Sequence, residues 1–148
     1  MSDWFAIVML ISGGLFTGGV VSIAWERVPA WRETELADFR SAFANTLRRV
    51  DRLQPVLLVV FILSTVGFAV STGGSGRAAA LAAVAGLLII LAGSVGWLVP
   101  IQKRLVAARA DEPAEDFDRL RAQWLRGHLI RTVVALAALI LAVVAASS

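Results

Sequence analysis

Four apolar stretches, each near the roughly 20 residues that a helix needs to cross bilayer hydrocarbon, dominate this 148-residue sequence. They run from Trp4 to about Trp25, from Pro55 to about Thr72, from Ala78 to Val99 and from Leu129 to Ala146. Backbone polar groups inside lipid must be satisfied within the segment, so stretches of this kind are expected to be helices. Composition agrees: 58% of residues are hydrophobic, 17% are charged and mean hydropathy is +0.77, against about 45–50% and about 25% in ordinary soluble domains. The expected fold is an all-α integral membrane four-helix bundle, one domain over 1–148, with an additional amphipathic helix on the cytoplasmic side. Pro55 suits the first turn of the second span, and Arg52 can snorkel beside it. Met1, Ser2 and Asp3 offer no positive n-region, so the first stretch is expected to be a retained span.

Orientation is read from the cations. Arg27, Arg32, Arg40, Arg48, Arg49 and Arg52 lie in the segment 26–54, and Lys103, Arg104, Arg109, Arg119, Arg121 and Arg126 lie in 100–127, while only Arg77 separates spans two and three. Because Lys and Arg collect on the inner side, both charged segments are expected to be cytoplasmic and both termini outside. In the first segment Leu36, Phe39, Phe43, Leu47 and Val50 recur at helical spacing after Thr34, a candidate N-cap, which predicts an amphipathic helix. In the second, Asp111-Glu112-Pro113 marks a break, and a continuous helix is expected from about Ala114 into span four.

Several chemistries are excluded by residue type. The chain has no cysteine and one histidine, so disulfides, thiolate metal sites, iron–sulfur clusters and bis-histidine haem are ruled out. A net charge of +3, with acidic residues interleaved among the basic ones, gives no sign of a nucleic-acid partner. The partners that fit are the membrane itself, a lipophilic small molecule or lipid, and a second copy of the chain.

The candidate chemistry lies at the entrance to the fourth span, where Trp124, His128 and Arg131 stand at i, i+4 and i+7. These positions share a helix face, aligning an indole, an imidazole and a guanidinium over about two turns. An ionisable residue within a span marks a functional site by default; the plainer alternatives are an Arg131 that snorkels to head groups, a Trp124 in the interfacial belt and a structural His128. In span one, Gly14 and Gly18 satisfy a small-xxx-small pattern within Gly13 to Gly19. That pattern serves close helix packing or leaves room for a flat ligand, with Thr17 beside it as a hydrogen-bonding group. Pro100 stops or kinks span three, and Gln102 beyond it faces solvent or the mouth of the bundle. Trp4, Trp25, Trp31 and Trp97 fall near the span boundaries and read as belt residues, and Glu26 as an ion-pair partner of Arg27 or a proton acceptor.

The Gly-rich first span leading to Pro29, Val99-Pro100-Ile101 at the end of span three, and the run of Trp124, His128, Arg131 and Thr132 together resemble the anthrone oxygenase-like family of small membrane proteins. The resemblance covers nearly the whole chain, the last motif being its most specific part. Gln102 stands where members commonly carry Asn, which lengthens the reach of the amide. The resemblance implies oxygenation of anthrones to anthraquinones without a recognised metal or flavin.

That chemistry is compatible with the residues. An anthrone is an acidic C–H compound whose delocalised carbanion can pass an electron to oxygen directly, so no cofactor and no metal are required. His128 would take the proton, Arg131 would stabilise the phenolate or peroxide, and Trp124, Gln102, Thr17, Gly14 and Gly18 would surround the rings. The expected pocket opens at the cytoplasmic end between spans one, three and four. The rival reading is a non-enzymatic membrane module that binds a lipid or quinone or assembles with a partner membrane protein. A transporter is disfavoured because the spans lack an acidic residue for proton coupling apart from Glu26 at a boundary.

Overall fold

The structure, a computed structural model, describes residues 2–107 and 114–148, with the side chains at 2, 36, 37, 49–51 and 114 left aside. The expected break at Asp111-Glu112-Pro113 lies outside the described residues, as do the side chains of Leu36, Arg49 and Val50. Among the described residues every element is helical: α1 (Ser2–Ser22), a π turn (Ile23–Arg27), α2 (Val28–Glu33), α3 (Leu36–Ser71), α4 (Gly74–Gly93), a second π turn (Ser94–Leu98), α5 (Val99–Ala107) and α6 (Ala114–Ala146). The protein is an integral membrane four-helix bundle. Its candidate spans are Asp3–Glu33, Arg52–Ser71, Gly74–Ala107 and Glu115–Ala146. Only 22–33% of each apolar window is buried inside the bundle, so the outward faces, with Ile11, Leu63, Ile89 and Val133 among them, are themselves apolar and suited to lipid.

Two boundaries differ from expectation. The amphipathic segment and span two form one helix, α3, with Pro55 inside it rather than in a first turn. The reason is a single inner stripe: Phe39, Phe43, Leu47, Leu58, Phe61, Thr65 and Phe68 are all buried and follow at spacings of three or four, with eleven residues across the proline that half-buried Gln54 divides into seven and four, so one helix face serves both parts. Thr34 does not cap α3; its hydroxyl donates to the Ala30 carbonyl at the end of α2. Pro29 and Pro100 do not end their spans either. Each follows a π turn in which the backbone N–H of the preceding valine reaches five residues back, Val28 to Ile23 and Val99 to Ser94. A register shift there accommodates a ring that would clash with the carbonyl four residues before it in a regular α-helix.

The four long helices close a ring in which α1 packs on α3 and α6, and α4 packs on α3 and α6. The interior divides into two cores. One lies towards the α3–α4 link and combines Met9, Phe61 and Leu87 with a column of alanines, Ala80, Ala135, Ala138, Ala142 and Ala145. The other lies at the charged end and joins Trp31, Phe39, Phe43, Phe117 and Trp124 with Leu98 and Leu105. Arg121 fastens this second core: it donates to the Thr34 carbonyl at 2.8 Å, pairs with Asp118 at 2.8 Å and lies over the Phe39 ring. Trp31 is 2% exposed, an inner member of the aromatic cluster rather than a belt residue. Trp4, Trp25 and Trp97 do lie on the outer surface.

Candidate functional site

Between the two cores lies a largely enclosed cavity of about 160 Å³. Phe16 and Leu58 wall it from the alanine side, Trp31, Leu47 and Leu98 from the aromatic side, and Leu91 from α4. The lining is mainly apolar, but Thr46, Gln54, Ser94, Gln102, Trp124 and Arg131 bring polar groups to it. Gln54 Oε1, Ser94 Oγ and Trp124 Nε1 are buried and have no hydrogen-bond partner among the described residues. Burying such groups without partners costs about 1–3 kcal/mol each. Three of them meet at one cavity, which makes it the candidate site: a polar ligand there would find hydrogen-bond partners waiting.

Local sequence explains how these groups reach the cavity. Gln54 falls on the buried stripe of α3 between Leu47 and Leu58, and its amide lies against Gly19 of α1, where any side chain would collide with it. Ser94 opens the second π turn, following Leu87 and Ile90 on the inner face of the third span. Gly127 of α6 likewise admits Leu98, since a Cβ there would sit 2.6 Å from the leucine side chain.

Trp124, His128 and Arg131 do share a face of α6, but they are not equivalent. The His128 ring stacks on the Trp124 indole with centroids 5.1 Å apart and an interplanar angle of 17°. It is fully buried and does not line the cavity. His128 Nε2 lies 3.1 Å from the Val20 carbonyl oxygen on α1, and Nδ1 lies 2.9 Å from Arg131 Nη2. A carbonyl oxygen only accepts and a guanidinium only donates, so these partners select the neutral tautomer with the proton on Nε2. Both ring nitrogens are thus engaged, one holding α1 and the other holding Arg131. Thr132 supports the same junction by donating to the His128 carbonyl at 2.9 Å. Trp124 also makes T-shaped contacts with Phe43 and Trp31, so with His128 stacked on it the group it offers the cavity is its unpartnered N–H.

The other sequence-selected residues divide. Gln102 lines the cavity, at its α5 wall. Thr17 is buried elsewhere, its hydroxyl 3.5 Å from the Ala135 carbonyl of α6, where it serves helix contact. Gly14 and Gly18 face the outside of the bundle with open space beyond them. Neither those two glycines nor Thr17 borders the cavity. Helix α3, which carries span two and is absent from the expected pocket, supplies Thr46, Leu47, Gln54 and Leu58. Gln54 and Ser94 were missed in the sequence although a polar residue on an otherwise apolar inner stripe is a readable signal. Among the described residues no three His, Asp or Glu side chains come together as a metal site.

No curated protein and no solved structure matches the chain. The family model described as anthrone oxygenase matches residues 43–141, a stretch that contains all six polar residues of the cavity together with His128. The chain belongs to the anthrone oxygenase family.

Proposed function

We propose that the protein is a membrane-embedded, cofactor-independent oxygenase of a flat lipophilic aromatic substrate, an anthrone or a related quinone-type compound. Family membership supports an oxygenase-like function. The single observation that carries the finer reading is the pairing of an apolar cavity with one guanidinium, that of Arg131, anchored at its edge by His128. A cavity of about 160 Å³ is on the scale that accepts an aromatic ring, and a fused flat molecule can lie with one edge inside.

In this reading the substrate gives up its C–H proton to bulk water, the cavity favours the enolate that results, and a proton returns from water when the peroxide forms. Arg131 and the Trp124 N–H donate to the oxygen on which negative charge develops, and they matter more in apolar surroundings than in water. The carbanion transfers an electron to oxygen and the two radicals combine, forming the C–O bond of a hydroperoxide. Loss of the remaining C–H proton and cleavage of the O–O bond release water and leave the quinone carbonyl. Oxygen is the oxidant, and anthrone plus one O₂ gives anthraquinone plus one water. His128, with both nitrogens engaged, acts as a positioning residue for Arg131 rather than as the base. Gln54 Oε1 accepts from a hydroxyl on the rings, and Ser94 Oγ bonds either a hydroxyl or a carbonyl there.

Oxygen uptake by the purified protein with anthrone, corrected for spontaneous autoxidation, tests this. Wild type should exceed background, and Arg131→Ala should lower the rate by about 10²–10³-fold, the usual cost of a lost charge-stabilising donor. His128→Ala should fall nearly as far, with His128→Gln recovering much of the loss because an amide offers both a donor and an acceptor. Wild-type uptake at background, with anthrone bound, would leave a binding module and overturn the oxygenase.

A further inference from the structure

The cavity's lining is continuous with that of an open groove between α3 and α5. Leu47, Pro55, Val99 and Gln102 line both spaces, forming their common wall. Beyond that wall the groove is floored by Ala44, Val106 and Ala107 and rimmed by Arg48 and Lys103. α3 and α5 touch only sparingly, whereas α1 with α3 and α4 with α6 are closely packed. Val99 and Pro55 belong to candidate spans, and Arg48 lies just before one, so the groove straddles the level where hydrocarbon gives way to head groups. Its floor is apolar, and its rim cations stand where long basic side chains meet water.

From this continuity we infer that the groove between α3 and α5 is the lateral portal through which the cavity's ligand enters from and returns to the bilayer. The inference rests on the binding reading above but not on the oxygenation. The ligand class follows from the two chemistries in sequence: a flat, apolar molecule carrying acidic phenolic hydroxyls. Its rings concentrate in the bilayer at the depth of Pro55 and Val99, and its ionised hydroxyl is attracted by Arg48 and Lys103, about one to two turns nearer the water, before the rings pass Leu47 and Gln102. A portal differs from a binding site in its kinetics. Obstructing it slows arrival and departure together and leaves the resting affinity nearly unchanged.

The absence of native cysteine allows a reversible plug. Val106→Cys, at an exposed position outside the cavity, is labelled with a bulky thiol-specific disulfide reagent in the otherwise intact protein. Binding of a dihydroxyanthraquinone is then followed by quenching of tryptophan fluorescence. Labelling should slow both association and dissociation by about tenfold or more, with Kd shifted far less, and reductant should restore both rates in the same sample. Val133→Cys, on an exposed face of α6 away from every groove residue, should show no change when labelled. In an independent arm, Arg48→Gln with Lys103→Gln should lower the association rate of the ionised probe and reduce its salt dependence. Unchanged rates in the labelled Val106→Cys protein would overturn the portal while leaving the cavity reading intact. A weakened Kd at an unchanged association rate would make the groove part of the resting site and would also overturn it. No binding to the unlabelled protein would overturn the cavity reading and the portal with it.

Discussion

The alanine core and the aromatic core sit in the same bundle and solve opposite packing problems. Where Ala135, Ala138, Ala142 and Ala145 of α6 face Ala80 and Leu87 of α4, short side chains let the backbones approach and little space is left between them. At the charged end the helices are separated by rings: Phe39 stacks on Phe43, and Trp31 and Trp124 meet them edge to face at centroid distances of 4.8–5.8 Å. Helices held close in one half and spread in the other leave an interior gap at the changeover. The cavity lies there, with Phe16 and Leu58 from the tight core on one side and Trp31 and Trp124 from the wide core on the other. An interior cavity can thus be created by changing the size of spacer side chains along the helices.

The largest test of this contrast is Phe43→Ala, which removes a fully buried ring touching Trp31, Phe39 and Trp124. A loss of about 3–5 kcal/mol is expected, measured by denaturation in detergent, together with lost ligand binding. In the tight core the damaging change is the reverse one. Ala138→Leu, at a position 1% exposed, should cost about 1–3 kcal/mol by overpacking, measured the same way, and a tolerated leucine would show that the alanine column is not the spacer. The smallest and most discriminating pair is Gly13→Ala against Gly14→Ala. A Cβ at Gly13 would stand 2.7 Å from the Phe61 ring, whereas nothing lies within 4 Å of one at Gly14. The first should destabilise, and the second should stabilise by about 0.5–1 kcal/mol through helix propensity. A destabilising Gly14→Ala, with a change in oligomeric state by light scattering, would show that a second copy covers that face.

Much of this was legible from residue order alone. Span count and helical class follow from apolar length, which the bilayer fixes, and the family from the Val99-Pro100 and Trp124-His128-Arg131 patterns. Boundaries were less legible because a change from apolar to charged composition marks where lipid ends, not where a helix ends; α3 runs through that change on one buried stripe. The roles at the site were least legible. Spacing places His128 and Arg131 on one face, but only the contacts with Arg131 and with Val20, the latter more than a hundred residues away in sequence, show that both ring nitrogens of the histidine are engaged. Nor can a small-xxx-small motif say which of its sides is inward: Gly13 and Gly19 meet α3, and Gly14 and Gly18 do not.

The two π turns set the rotational phase of everything below them. Val20 and Val28 are both buried, as are Ile90 and Leu98, yet each pair is eight positions apart, which in a regular helix of 3.6 residues per turn leaves the second side chain rotated by about 80° from the first. A π turn absorbs one residue, and the remaining seven bring the second back to within about 20° of the first. Deleting one residue from Ile23–Arg27 would therefore do more than shorten a connection. It would close the segment into a regular α-helix with Val28 and Trp31 still in phase with Val20, and would set the Pro29 ring against the carbonyl four residues before it, the clash that the π turn relieves.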